Sequence, residues 1–135
     1  MWTTLTSLLA GALVFLLLCA AASAQYAGWT IPEGGKDEKN PLNPSADLVK
    51  KGKSTFQSNC QKCHGPEGKG DGPDSDPKEP AADLTDDFRT PLNPDGVLYY
   101  KVWNGHPPQM PAFKSKLSKD EVWTVVEYIK TLGKP

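Results

Sequence analysis

The first helical pattern of hydrophobic and polar positions begins at residue 45. Ser45 suits a helix N-cap, and Leu48, Gly52 and Phe56 then recur every fourth residue, which places them on one face of a helix. A glycine in the middle of a helix costs about 1 kcal/mol relative to alanine. We therefore expect another backbone to cross this helix at Gly52.

A stronger pattern fills residues 119–132. Ser118 and Glu121 have the spacing of a capping box, and Gly133 is suited to end the helix. The apolar stripe between them consists of Val122, Val125, Val126 and Ile129. A weaker pattern predicts a third helix over 95–104. Because the sequence shows no convincing strand pattern, we predict an all-α fold.

The remaining segments are rich in proline, glycine and charge and have no period. Residues 25–44 are predicted to form an extended or loosely wrapped N-terminal lead, and residues 65–94 a long acidic loop. A structureless loop of about thirty residues is uncommon in a compact domain unless it wraps something functional. Residues 45–135 are expected to form one small domain.

The N-terminus predicts a secretion signal. Of residues 1–24, 18 are apolar, and no charged side chain precedes Glu33. Residues 22–24 read Ala-Ser-Ala, which favours cleavage after Ala24 and export, for instance to the periplasm. Lipid attachment at Cys19 and an uncleaved membrane anchor are weaker alternatives. We expect no membrane span in the mature chain.

The composition of residues 25–135 indicates a shortage of core material. Only 18 of these 111 residues are Leu, Ile, Val or Phe, which is below the ~20% at which unassisted folding becomes doubtful. We therefore expect a bound non-protein group to fill part of the core. The net charge of -1 offers no basic excess to neutralise phosphates, which argues against nucleic-acid binding.

The candidate chemistry lies at residues 60–64, which read Cys-Gln-Lys-Cys-His. C-x-x-C-H is the attachment signature of haem c: two thiols one helical turn apart bind the vinyl groups, and the adjacent histidine meets the iron. The motif predicts one covalent haem c on Cys60 and Cys63, with His64 as an iron ligand. The alternatives are a dithiol redox pair, a zinc site and a structural disulfide. A dithiol pair is typical of a βαβ unit, and the chain shows no parallel-strand pattern. A zinc site needs a fourth ligand, and His106 lacks the paired spacing of zinc modules. A disulfide explains neither the apolar deficit nor the position of His64.

Met110 is the candidate for the second axial ligand. Three prolines at positions 107, 108 and 111 restrict its backbone and reduce the entropy cost of holding the thioether in place. His106 is a weaker alternative and is expected at the surface or near the haem propionates. Pro73 follows His64 by nine residues. This spacing predicts that the Pro73 carbonyl accepts the proton of His64 Nδ1.

These residues resemble the class I monohaem c-type cytochromes of the bacterial periplasmic kind. The resemblance covers most of residues 45–132, and its matching positions are 52 and 56, 60–65, 68–73, 80–84, 110–113 and 123–128. It implies N- and C-terminal helices that cross over a covalently bound haem. Cys60 and Cys63 would bind this haem, and His64 and Met110 would ligate its iron. Gly52 and Phe56 would meet the C-terminal helix near Val125 and Tyr128.

Ligation by histidine and methionine implies an electron carrier rather than an enzyme, because the iron has no open position. We expect a monomeric periplasmic protein that exchanges single electrons with redox protein partners. One alternative is the haem subunit of a dehydrogenase or oxidase complex, with residues 25–44 as a docking arm. An alternative of a different class is a peroxidase-like or ligand-sensing haem protein, which requires that Met110 is labile or not a ligand.

Charge divides the chain into an acidic and a basic part. Residues 67–95 hold nine acidic and three basic side chains, whereas residues 96–135 hold six lysines and three acidic side chains. Charge runs of this kind often mean no more than a solvated surface. The functional hypothesis is that four lysines rim the haem edge and steer a partner with an acidic docking surface. They are Lys62, Lys114, Lys116 and Lys119.

Overall fold

The computed structural model describes residues 26–134, which contain four α-helices. They are α1 (Ala46–Asn59), α2 (Gln61–His64), α3 (Asp95–Asn104) and α4 (Lys119–Ile129). Two short 3-10 turns occupy Gly35–Asp37 and Thr90–Leu92. Because residues 26–134 contain no strand beyond an isolated bridge, the all-α prediction is confirmed. The predicted signal, with Cys19 and the cleavage position Ala24, lies outside the described residues.

The helix termini follow the predicted caps. Ser45 Oγ accepts a hydrogen bond from the Leu48 amide at 3.1 Å at the start of α1. Ser118 and Glu121 form the capping box of α4: the Ser118 amide donates to the Glu121 carboxylate at 2.8 Å, and the Glu121 amide donates to Ser118 Oγ at 3.2 Å. The regular part of α4 ends at Ile129, three residues earlier than predicted. Amides at 131 and 132 donate to carbonyls three residues back, which makes the last residues turns.

Helices α1 and α4 cross with their backbones in close contact. A Cβ atom built on Gly52 would lie 2.7 Å from the carbonyl carbon of Thr124 and 2.9 Å from Cβ of Tyr128. Contacts this short do not occur between real side chains and backbone, so a larger residue at 52 forces the helices apart. The expected crossing at Gly52 is confirmed.

Two separate clusters of buried residues make up the hydrophobic core. The larger cluster joins α3, α4 and the segment between them, and its Tyr99 and Trp123 rings stack at 4.3 Å between centroids. Its members are Tyr99, Val102, Phe113, Leu117, Val122, Trp123 and Val126. The smaller cluster joins α1 to the other side of α4 and contains Phe56, Cys60, Val125 and Tyr128. Helix α4 therefore contributes to both clusters.

The N-terminal lead is bound to the helices by specific polar contacts. The Tyr100 hydroxyl donates to Glu38 Oε1 at 2.6 Å, and Asn40 Nδ2 donates to the Trp123 carbonyl at 3.1 Å. A Cβ atom on Gly35 would lie 2.7 Å from the Tyr100 ring. The lead therefore lies closely against α3 and α4, whereas we predicted an extended or loosely wrapped segment. Single hydrogen bonds and close contacts hold it, and these leave no periodic signal in the sequence.

Within residues 26–134, none of the helices combines the length and the apolar character that crossing a membrane requires.

Candidate functional site

The motif residues Cys60, Cys63 and His64 lie on or beside the single turn of α2. A turn this short leaves its last carbonyls without partners inside the helix. Amides of the following loop donate to three of them: Gly70 to the His64 carbonyl at 2.8 Å, Gly72 to the Cys63 carbonyl at 3.0 Å, and Asp74 to the Lys62 carbonyl at 2.8 Å. The long loop therefore folds back over the motif.

Glycine is required in this loop because the backbones approach closely. Gly70 has a φ of +78°, and a Cβ atom there would lie 3.1 Å from the carbonyl carbon of Ala81. A Cβ atom on Gly72 would lie 2.7 Å from the carbonyl carbon of Cys63. A larger residue at 72 would separate the loop from the motif, and one at 70 would push apart two parts of the loop itself.

The acceptor for His64 is the carbonyl of Ala82. His64 Nδ1 lies 3.0 Å from this oxygen, which corrects the prediction that Pro73 supplies the acceptor. Pro73 lies between Gly72 and Asp74, whose amides donate to carbonyls of α2. These two bonds hold the backbone around Pro73 against the turn. The loop then returns, and Ser75 Oγ accepts a hydrogen bond from the Ala81 amide at 3.0 Å. This contact brings Ala82 to the imidazole.

The Ala82 contact determines the tautomer of His64. A carbonyl oxygen carries no hydrogen, so Nδ1 must donate the proton, and the neutral ring then keeps a free lone pair on Nε2. Burial lowers the pKa of His64, and the hydrogen bond to Ala82 opposes this effect. The side chain is therefore favoured as a neutral imidazole, the form that binds a metal ion.

Both cysteines of the motif are free thiols rather than a disulfide. Cys60 is buried beside Phe56, and Cys63 is half-buried. Burial raises the pKa of Cys60 to about 12; the charge of Cys63 adds to the rise, and the ammonium group of Lys116 opposes it. Lys116 therefore lies close enough to Cys60 to act on its charge. Two separate thiols are what thioether formation needs.

Met110 lies on a separate tight hairpin that follows α3. The His106 amide donates to the Met110 carbonyl at 2.8 Å, and the Met110 amide donates to the His106 carbonyl at 3.0 Å. The chain turns back on itself at Gly105, whose φ is +65°. Only glycine fits there, because a Cβ atom would lie 2.6 Å from the Met110 carbonyl oxygen. The Met110 side chain is half-buried and packs against the larger hydrophobic cluster.

These donors fit a haem c. Two free thiols on one turn match its two vinyl groups, and the lone pair of His64 Nε2 and the thioether of Met110 are suitable axial ligands. Cys60 belongs to the smaller hydrophobic cluster, and Met110 packs against the larger one. Within residues 26–134, no group of three or more His, Cys, Asp and Glu side chains could hold a metal ion. The zinc alternative therefore finds no ligand set there.

Trp29 contacts the Met110 hairpin, a role that the sequence analysis missed. Its ring lies 5.0 Å from the His106 ring between centroids, and the Lys101 ammonium lies 4.9 Å from its centroid. Tyr26 also faces Lys101, at 5.8 Å. The presence of two aromatic residues in a lead that is mostly polar, proline or glycine was the sequence feature that could have indicated this contact.

The four lysines of the docking hypothesis are all exposed. The ion pairs within residues 26–134 involve other cations: Lys69 with Glu67, Arg89 with Asp86, and Lys130 with Asp95 and Glu127. The positive charges at 62, 114, 116 and 119 are therefore not neutralised by a direct ion pair in this part of the chain.

Two solved structures are similar to the structure of this chain. A chain of the Kuenenia stuttgartiensis reducing HAO-like protein complex Kustc0457/Kustc0458 is 32% identical, with a TM-score of 0.56. The match covers 70% of this chain and 47% of that one, so this chain spans about half of its length. The KustC0563 c-type cytochrome has a TM-score of 0.51 at 23% identity, over 62% of this chain and 98% of that one, which shows a shared fold.

The comparison with curated proteins found no match. The family model described as Cytochrome c matches residues 49–133, which is more than half of the chain. This range includes the C-x-x-C-H motif, the loop that folds over it, the Met110 hairpin and the crossing of α1 with α4. The chain therefore belongs to the cytochrome c family, whose members carry out haem-based electron transfer.

Proposed function

We propose that this protein carries one electron at a time on a single covalent haem c, between redox protein partners. The observation that carries the proposal is the geometry at α2. Two free thiols and an imidazole share one helical turn, and the Ala82 carbonyl occupies Nδ1 of that imidazole and leaves Nε2 free. Cys60 and Cys63 would hold the haem through thioether bonds, and His64 and Met110 would ligate its iron.

Each residue of the site has a distinct effect on the cofactor. Haem c supplies reversible one-electron chemistry at its iron. The soft thioether of Met110 favours the ferrous state and raises the reduction potential. The Ala82 carbonyl acts in the opposite direction, because its hydrogen bond to Nδ1 makes the His64 imidazole a stronger donor to the ferric state. The proline-flanked hairpin would hold Met110 as the second iron ligand, which would disfavour peroxidase-like chemistry.

A haem subunit in a larger redox complex is the second candidate function. It is favoured by the similarity to a chain of an HAO-like protein complex. This protein spans about half the length of that chain. A docking arm formed by residues 25–44 receives no support from the contacts of Glu38 and Asn40, which bind the lead to α3 and α4. The exposed lysines remain available as a docking surface in both functions.

We also propose that the mature protein is a periplasmic monomer that begins at Gln25. The apolar segment before Ala24 and the typical export of c-type cytochromes support this location. Residues 25–44 then form the lead of the mature chain, and residues 45–135 form its haem domain.

The intact mass of the exported protein tests processing and haem content together. It is expected to equal residues 25–135 plus one haem, with no thiol that reacts with an alkylating reagent. A retained residue 1–24 segment, a lipid on Cys19 or a second haem would each contradict this composition. Mass spectrometry before and after alkylation distinguishes these results.

Replacing Met110 with alanine tests the second axial ligand. Met110→Ala is expected to abolish the sulfur-to-iron charge-transfer band, let carbon monoxide bind the ferrous protein and lower the potential by roughly a tenth of a volt or more, within the about 0.8 V that axial ligands span. His106→Ala is the matched control and is expected to keep the band and the potential. The opposite pattern would show that His106 is the ligand.

Gly70→Ala tests the hydrogen bond between His64 and Ala82. A Cβ atom at 70 meets the Ala81 carbonyl and displaces the segment that carries Ala82, so the imidazole becomes a weaker donor. We expect the potential to rise by tens of millivolts, on the scale of 59 mV per tenfold change in relative affinity for the two oxidation states.

Gly34→Ala is the control for this experiment. Gly34 also has a positive φ, of 75°, but no atom lies within 4 Å of its Cβ position. It therefore carries the same kind of backbone strain without contact to the site. If voltammetry shows the same potential change in both variants, the Ala82 contact does not tune the iron.

Charge reversal at Lys114 and Lys116 tests the docking surface. Oxidation of the ferrous protein by ferricyanide, an anionic probe, is expected to slow about 3- to 10-fold in the Lys114→Glu/Lys116→Glu variant at low salt. The difference should disappear near molar salt, where the Debye length is about 3 Å. The potential should stay nearly unchanged.

Lys50→Glu/Lys51→Glu is the matched control, with the same change in net charge on the solvent-facing side of α1. It is expected to slow the reaction less than the pair at 114 and 116. Equal stopped-flow rates for the two variants would mean that electrons do not leave near these lysines.

A further inference from the structure

We infer that the start of the N-terminal lead, residues 26–30, is a strap that holds the Met110 hairpin in place, with Trp29 as a positioning residue for the sulfur ligand. The inference rests on the proposed ligation by Met110. It assigns a function to a segment outside the matched range of residues 49–133.

The strap contacts the hairpin through the side chain of His106. The Trp29 and His106 rings lie 5.0 Å apart between centroids, at an interplanar angle of 41°. On another side of the imidazole lies the backbone of Gly28, whose φ is +82° and whose Cβ position is 2.6 Å from His106 Nε2. The strap thus restricts the imidazole from two directions, and only glycine leaves room for this approach.

His106 passes this restraint to Met110 through the backbone. The two residues exchange a pair of hydrogen bonds, at 2.8 and 3.0 Å, across a tip of three residues. Because both the amide and the carbonyl of Met110 are bound to His106, Met110 cannot move away until these bonds break or His106 moves with it. At the tip, Gln109 Nε2 donates to Glu79 at 3.1 Å between exposed side chains.

The strap has its own attachments to α3 and to the turn before it. Asn104 Nδ2 donates to the Thr30 carbonyl at 2.8 Å, and the Tyr26 hydroxyl donates to the Leu92 carbonyl at 3.1 Å. The Lys101 ammonium faces the rings of Trp29 and Tyr26. Since these contacts do not involve the hairpin, the strap is a fixed surface against which His106 rests.

Restraint of the hairpin has a measurable consequence for ligand exchange. Cyanide binds the ferric iron only when the methionine sulfur has left, so its binding rate at saturating cyanide reports how readily the hairpin releases Met110. Loss of an aromatic contact of this kind favours the released state by about tenfold. A residue that merely stabilised the fold would change global unfolding but not this rate under native conditions.

The experiment measures cyanide binding to the ferric holoprotein by stopped flow at one pH and salt concentration. Trp29→Ala is expected to bind cyanide about tenfold faster than wild type. Trp29→Phe keeps an aromatic ring and is expected to bind cyanide at close to the wild-type rate. Tyr100→Phe is the control, since it removes the Glu38 contact of the lead without touching the strap or His106. It is expected to leave the rate unchanged.

His106→Ala removes the same contact from the hairpin side and serves as a second variant if Trp29→Ala does not fold. The double variant is expected to be no faster than either single variant, because both changes remove one interaction. Additive effects, or a wild-type rate in both single variants, would overturn the inference.

The charge-transfer band separates this failure from failure of the proposed function. If wild type lacks the band, Met110 is not the ligand and the proposed ligation is wrong. If wild type has the band and Trp29→Ala keeps both the band and the wild-type cyanide rate, the ligation stands and the strap has no positioning role.

Discussion

The unpaired carbonyls at the end of α2 impose the constraint on which the site depends. The motif needs a single helical turn to bring two thiols and an imidazole together, and such a turn cannot satisfy its own last carbonyls. The amides of Gly70, Gly72 and Asp74 satisfy three of them. A loop that passes this close to another backbone needs glycine. The three hydrogen bonds order this segment around the motif, although its sequence has no helical or strand periodicity.

The same constraint connects the motif to the core. The Cys60 amide donates to the Phe56 carbonyl at 2.8 Å, so α1 leads directly into α2. Phe56 is fully buried against α4, and Gly52 lets the two helices approach one turn earlier. The position of the thiols is therefore determined by the crossing of α1 with α4, and the position of the imidazole by the loop that follows.

The sequence predicted the parts of this structure that depend on local side-chain pattern. The caps at Ser45 and Ser118, the crossing at Gly52 and the turn at Cys60 all follow from residue types at fixed spacing. The acceptor for His64 was predicted wrongly as Pro73. A backbone carbonyl is the same chemical group at every residue, so choosing Ala82 requires the path of the loop, and no spacing rule supplies that path. Trp29 was missed for a similar reason, because its partner lies far away in sequence.

The two proposed axial ligands are held by different kinds of structure. His64 is fixed by residues within twenty positions of it, through the loop at 70–74 and the Ala82 carbonyl, and it adjoins the thiol of Cys63. Met110 depends on a small hairpin and on contacts to distant segments, above all the strap at 26–30. Local contacts lose less entropy when they form than contacts between distant segments do. The methionine side is therefore the side at which changes elsewhere in the chain, or a partner bound near the lead, can most easily alter the ligation.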